Sequence, residues 1–218
     1  MPAPVAFLRP AEGALPSRPV DALAGVRIGV AQDAAFAFLY PANVDVLRDL
    51  GATVVPFSPL RDACLPDVDA LYLPGGYPEL HLPALAGNLG MRDALRAHHA
   101  AGKPIVAECG GMLSLLEHLS ALDGQRAPMW GLLRGDAVLH DRLVNLGLHA
   151  VQTPQGELRG HTFHHARMTT DATPSAHTIA QRHHGQPEAV WQQGRLWASF
   201  LHLYFPSHPT AVAALFRP

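Results

Sequence analysis

The stretch "KPIVAECGGMLSLLEHL" (103–119) decides the fold. An apolar run, Ile105-Val106-Ala107, ends at Glu108-Cys109-Gly110-Gly111 and passes directly into a helical pattern. A short buried run bounded by a Gly pair reads as a strand of a parallel sheet, and Gly110-Gly111 as the tight turn into the next helix. The cysteine at the turn is one of only two in the chain, the other being Cys64.

Working outward, the same alternation recurs. "VRIGVA" (26–31), "TVVPF" (53–57) and "DALYLPGG" (69–76) read as strands. Between them, "PANVDVLRDLG" (41–51) starts on Pro, ends on Gly and places Val44, Leu47 and Leu50 on one face, so it reads as a helix. "MRDALRAHHAAGK" (91–103) and "GMLSLLEHL" (111–119) read as the next two helices. Short buried strands alternating with helices define an α/β doubly wound domain on a mostly parallel sheet. The second half changes character. "LVNLGLHAVQTPQGELRGHTFHHARMT" (143–169), broken at Pro-Gln-Gly, suggests an antiparallel extension; "LWASFLHLYF" (196–205) reads as one strand and "PTAVAALF" (209–216) as a closing helix.

Totals agree with this picture. The 218 residues suit one domain with a core that needs no disulfide staples. Apolar residues make up 48% and charged residues 16%, a globular balance. With a net charge of −2 and no basic run, nucleic acid is not an expected partner. No run approaches 18 apolar residues, so no membrane helix is expected. The opening "MPAPVAFLRPAEGALPSRP" carries five prolines and no signal-peptide core. The expectation is a cytoplasmic protein with reduced thiols, in which residues 1–24 are a tail or linker and 25–218 the domain.

At the C-terminal end of a parallel strand, Cys109 faces the crevice where open α/β sheets bind ligands. The helix start behind it favours thiolate, and the glycines let a substrate approach closely. That is the setting of a nucleophile elbow, in which the next N–H also serves an oxyanion. A small apolar residue closing a buried strand fits the same position. "YLPGGYPEL" (72–80) ends the neighbouring strand with Gly75-Gly76 and can supply a second oxyanion donor. Among 14 histidines, His202 follows an apolar strand and is best placed as the base; a hydrogen-bonded core histidine is the alternative. Cys64, on a loop without Gly-rich surroundings, is a bystander.

The segments "LPGGYPEL", "AECGGM", "RGHTFH" and "SFLHLYF", together with "AQDAAFAFLYPANVDVLRDLGATVVPFSPLRD" (31–62), occur in this chain with the latter leading. They resemble the glutamine amidotransferase domain of the cobyrinic and hydrogenobyrinic acid a,c-diamide synthases over nearly the whole chain, from about Gly25 onward. The resemblance implies a class I amidotransferase of flavodoxin-like fold, with Cys109 as nucleophile, His202 as catalytic histidine, and Gly76 and Gly110 as the oxyanion hole. Gly75, Tyr77, His161 and His164 are the accompanying substrate-contact candidates. The implied reaction hydrolyses L-glutamine through a cysteine thioester and passes ammonia to an ATP-activated carboxylate, an a or c acetate of a corrinoid.

Two departures accompany it. Most class I amidotransferases carry Glu two residues after the histidine, and here position 204 is Tyr. The sequence also lacks a P-loop: its one Gly-Lys, Gly102-Lys103, has Ala97 where the first Gly belongs. ATP and Mg are therefore expected only in a synthetase domain or subunit that acts as partner. No metal site is expected, since His161-x-x-His164 lacks a third ligand. A glutaminase serving another ligase and a non-catalytic docking domain on the same fold are the alternatives.

Overall fold

The computed structural model describes residues 21–181 and 186–218. The tail expectation for residues 1–20 lies outside them. Residues 21–24 belong to the folded body instead: Leu23 is fully buried and its N–H donates to Leu50 O at 2.7 Å. An apolar side chain with a pocket to fill overrides the Pro- and Ala-rich composition around it.

The first half alternates as expected: β1 (Arg27–Ala31), α1 (Pro41–Asp49), β2 (Thr53–Phe57), β3 (Ala70–Leu73), α2 (Leu82–Gly87), α3 (Leu89–Ala100), β4 (Ile105–Glu108) and α4 (Gly110–Leu115). The strands are nearly all apolar because helices cover the sheet; every residue of β3 and β4 is buried. α4 stops at Leu115, short of the expected 119. Residues after it form β5 (His118–Ser120), followed by β6 (Arg126–Pro128) and β7 (Asp136–Leu139). Leu119, which fits the helical period, is buried in β5 instead.

The antiparallel expectation holds. β8 (Asn145–Thr153) and β9 (Gly156–His164) form a hairpin in full register from Asn145–His164 to Thr153–Gly156, turning at Pro154-Gln155. β10 (Ala166–Thr169), β11 (Ala176–His177), β12 (Ile179–Ala180) and β13 (Ala189–Gln193) follow. The expected single strand at 196–205 is two: β14 (Leu196–Ser199) and β15 (His202–Tyr204), with the chain turning through Phe200-Leu201 between sheets. α5 (Pro209–Phe216) closes the chain.

The main sheet runs β11-β13-β14-β4-β3-β1-β2. Five neighbouring strands, β14, β4, β3, β1 and β2, are parallel, in a flavodoxin-like order. β14 thus returns to the sheet beside β4 after the long antiparallel excursion. Two four-stranded sheets, β10-β7-β5-β6 and β12-β8-β9-β15, make the extension. Because β15 pairs with β9 while β14 pairs with β4, the turn at 200–201 delivers His202 to the C-terminal edge of the main sheet. Among the described residues no helix is long and apolar enough to cross a membrane.

Candidate active site

The loops after β1, β3, β4 and β14 converge at that edge. Cys109 follows β4 with φ +44° and ψ −109°, a conformation that costs a non-glycine residue about 1–3 kcal/mol. The surroundings hold it: its N–H donates to Ser199 O (2.8 Å) and its carbonyl accepts the Leu113 N–H (2.8 Å). Gly110 is tight for a different reason. A Cβ there would lie 2.7 Å from Gly76 O and 2.8 Å from Gly76 N, so the two glycine pairs approach backbone to backbone. Gly76 in turn packs on the Ala35 carbonyl, and the Gly75 carbonyl accepts the Phe38 N–H at 3.0 Å.

His202 completes the group. Its ring rests on the bare Cα of Gly75, where a Cβ would come 3.0 Å from Nδ1 and closer still to Cε1. One face stacks on His161 (5.0 Å between centroids, 17° between planes), and Phe38 meets it edge-on at 6.0 Å. His202 is 2% exposed, and Nδ1 has no hydrogen-bond partner among the described residues. Tyr204, where most class I enzymes carry Glu, is 49% exposed.

Burial governs the protonation states. It pushes the Cys109 thiol up to about 12, outweighing the Gly110 N–H that pulls it down; the carboxylates of Glu79, Glu108 and Glu188 add to the rise. The expectation that the helix start favours thiolate is thereby corrected: Cys109 is buried and α4 is only six residues long. Burial also lowers His202 to about 3, with the neighbouring His161 and His164 contributing. At neutral pH the resting pair is therefore a thiol and a neutral imidazole. A thiol and a neutral imidazole are a proton donor and a proton acceptor.

The other candidates divide. His161 belongs with His202: it lines the same cavity of about 330 Å³ with Phe38, Tyr40 and Phe163, and bonds the Tyr40 hydroxyl at 3.2 Å. His164 is not among the residues that line this cavity. Nδ1 bonds Ala166 O (2.9 Å), Nε2 bonds Glu188 (3.0 Å), and the ring lies flat on Phe200, because an odd spacing in β9 turns 161 and 164 to opposite faces. Tyr77 is 44% exposed and meets Phe38 edge-on at 4.8 Å. Cys64 is exposed and free. Among the described residues no group of three or more His, Cys, Asp and Glu is placed to hold a metal ion.

Several site residues escaped sequence reasoning. Phe38 and Tyr40 lie in "DAAFAFLYP", and Glu79 in "GGYPEL", inside segments already singled out but not themselves marked. Glu79 lines a second cavity of about 560 Å³ with Leu80, Asp123, His140 and His165, and its charge is felt at Cys109. Glu108, fully buried, is raised to about 8 by burial.

A doubly wound sheet whose strained cysteine elbow faces a glycine loop and a buried histidine defines the class I glutamine amidotransferase fold. A crystal structure of a glutamine amidotransferase superposes with a TM-score of 0.59 over 86% of this chain and 96% of that one, at 20% identity. The structure of PurLQS from Thermotoga maritima gives 0.51 at 15% identity, over 83% of this chain and 88% of that one. Residues 27–210 match the CobB/CobQ-like glutamine amidotransferase domain, and the chain belongs to that family. The hydrogenobyrinate a,c-diamide synthase of Pseudomonas aeruginosa is 55% identical over all 218 residues, which are 49% of its length. The cobyrinate a,c-diamide synthase of Herminiimonas arsenicoxydans is 44% identical over 197 residues, 90% of this chain and 45% of that protein. The chain thus spans about half the length of the curated relatives it matches.

Proposed function

We propose that this chain is the glutaminase half of a corrinoid a,c-diamide synthase, with Cys109 and His202 as its catalytic dyad. His202 takes the Cys109 proton as Sγ attacks the side-chain amide carbon of glutamine. The resulting oxyanion is received by the Gly76 and Gly110 N–H groups, a contribution of about 100-fold or more per donor. Imidazolium then returns the proton to the departing nitrogen, releasing NH₃ and leaving a γ-glutamyl thioester. Water, deprotonated by the same histidine, cleaves the thioester to glutamate and restores the thiol. Gly75 leaves room for the ring, while His161 and Tyr77 are the nearest candidates for substrate contact.

One observation carries the reading: a cysteine held at φ +44°, followed by Gly110 packed on Gly76, whose neighbour Gly75 abuts a buried histidine. A binding module has no use for that combination. The ammonia is destined for an ATP-activated carboxylate in a synthetase domain or subunit, which is where ATP and Mg act. The names of the relatives support a and c acetates of a corrinoid as acceptors, and 55% identity to the hydrogenobyrinate enzyme favours the cobalt-free ring.

The test is glutamate release by the chain and by Cys109→Ala, with a glutamine-like diazo-ketone as label. Such a reagent should modify buried Cys109 and spare exposed Cys64, although a non-specific alkylator meets Cys64 first. Label on Cys64, or undiminished turnover in Cys109→Ala, would sink the assignment.

A further inference from the structure

His202 opens β15, and this three-residue strand is paired on one edge only, by β9. The groups on its other edge are buried and must be satisfied by something. Leu203 and Phe205 meet side chains there. Asn43, from α1, donates from Nδ2 to Leu203 O at 2.8 Å and accepts the Phe205 N–H on Oδ1 at 2.9 Å. Glu108 accepts the Leu203 N–H on Oε1 at 3.1 Å. Tyr72, from β3, ties the two together: its hydroxyl donates to Glu108 Oε2 at 3.0 Å and accepts from Asn43 Nδ2 at 3.2 Å. All three side chains are fully buried.

Asn43, Tyr72 and Glu108 therefore replace a missing neighbour strand. Glu108 is also the residue immediately before Cys109, so a side chain rooted beside the nucleophile holds the backbone beside the base. His202 has no partner at Nδ1 among the described residues, and a tyrosine stands where most class I enzymes carry the orienting Glu. We propose that Asn43, Tyr72 and Glu108 are positioning residues that fix His202 against Cys109 through the backbone of β15, in place of a carboxylate on the ring. The proposal rests on the dyad reading above. None of the three needs to touch substrate. Apolar side chains filling the same volume would leave Leu203 N–H, Leu203 O and Phe205 N–H buried and unpaired, which is why the trio is polar.

The test uses Asn43→Ala and Glu108→Ala in the full chain, with glutamate release, melting temperature and hydrogen exchange as readouts. A shift of about 1 Å at a catalytic group costs about 100-fold in rate. The expected result is a fall in kcat of about 30- to 100-fold with KM within about 3-fold. In a His202→Asn background the same substitutions should lower kcat no further, because they act through that ring; their effect on melting should remain. Glu108→Gln keeps an acceptor for the Leu203 N–H and should restore most of the rate lost in Glu108→Ala. Exchange in residues 201–206 should quicken in Asn43→Ala while 104–108 stays protected.

An equal further loss in the His202→Asn background, or unchanged kcat and exchange in Asn43→Ala, would overturn the proposal. Should the alanine variants fail to fold, Tyr72→Phe removes one hydroxyl only and should still cost about 5- to 10-fold in kcat, within the same ~1 Å argument. If the wild-type chain released no glutamate, the glutaminase reading would fall, and the exchange arm would still decide whether the clamp holds β15.

Discussion

Gly75→Ala isolates the geometry of the proposed base, His202, from everything else at the site. Gly75 does not have positive φ, so alanine is tolerated by the backbone and the perturbation is steric. The new methyl would stand 3.0 Å from Nδ1 of His202, 3.4 Å from Nε2, and inside contact distance of Cε1. Carbon atoms settle at about 3.5–4.0 Å, so the ring must retreat by about 1 Å. Retreat is obstructed, since His161 stacks on it and Phe38 meets it edge-on. A displacement of that size predicts a loss of about 100-fold in kcat. Overpacking should cost about 1–3 kcal/mol in stability, less than the margin by which a typical domain stays folded. Gly87→Ala is the control, because a Cβ there meets nothing within 4 Å. Steady-state glutamate release and thermal melting are measured on both. A folded Gly75→Ala enzyme that turns over within about 3-fold of wild type would refute the placement of His202 as the base.

Three further outcomes are expected. Glu108 keeps its proton up to about pH 8 in the folded chain, against 4.5 ordinarily. Between those values the unfolded chain releases a proton that the folded chain retains, so this group makes stability fall as pH rises, by at most about 1.4 kcal/mol per unit. Denaturant titrations from about pH 5 to 8 should show wild type losing stability relative to Glu108→Gln; parallel curves would mean the carboxyl is already ionised. Tyr204→Phe should leave turnover unchanged, since the residue is half exposed, and a loss beyond about 10-fold would place its hydroxyl on the catalytic path. The isolated chain should hydrolyse glutamine slowly, ignore ATP, and speed up when a P-loop synthetase domain and its corrinoid are supplied; equal rates would favour an independent glutaminase.

The sequence by itself determined the periodic half of the molecule. Apolar runs such as Ile105–Ala107 and the helix signals at Pro41 and Gly51 are local, and local patterns place β1, β2, β4 and α1 within a residue or two, while β3 ends at Leu73, three residues short of the expected Gly76. It also marked Cys109 and the two Gly pairs, because a glycine-flanked cysteine after a strand has few other uses. Tertiary structure decided what depends on distance along the chain. The run 196–205 looks uniform, yet it splits between two sheets because β4 and β9 compete for its backbone. Burial reversed the expected ionisation of Cys109, a property of the packed pocket and not of the residues beside it. The clamp on β15 joins residues 43, 72, 108 and 203, whose helix and strands leave no common spacing to read. Asn43 in a helix and Tyr72 in a strand look like ordinary surface and core residues until folding closes their hydrogen bonds around the strand that carries His202.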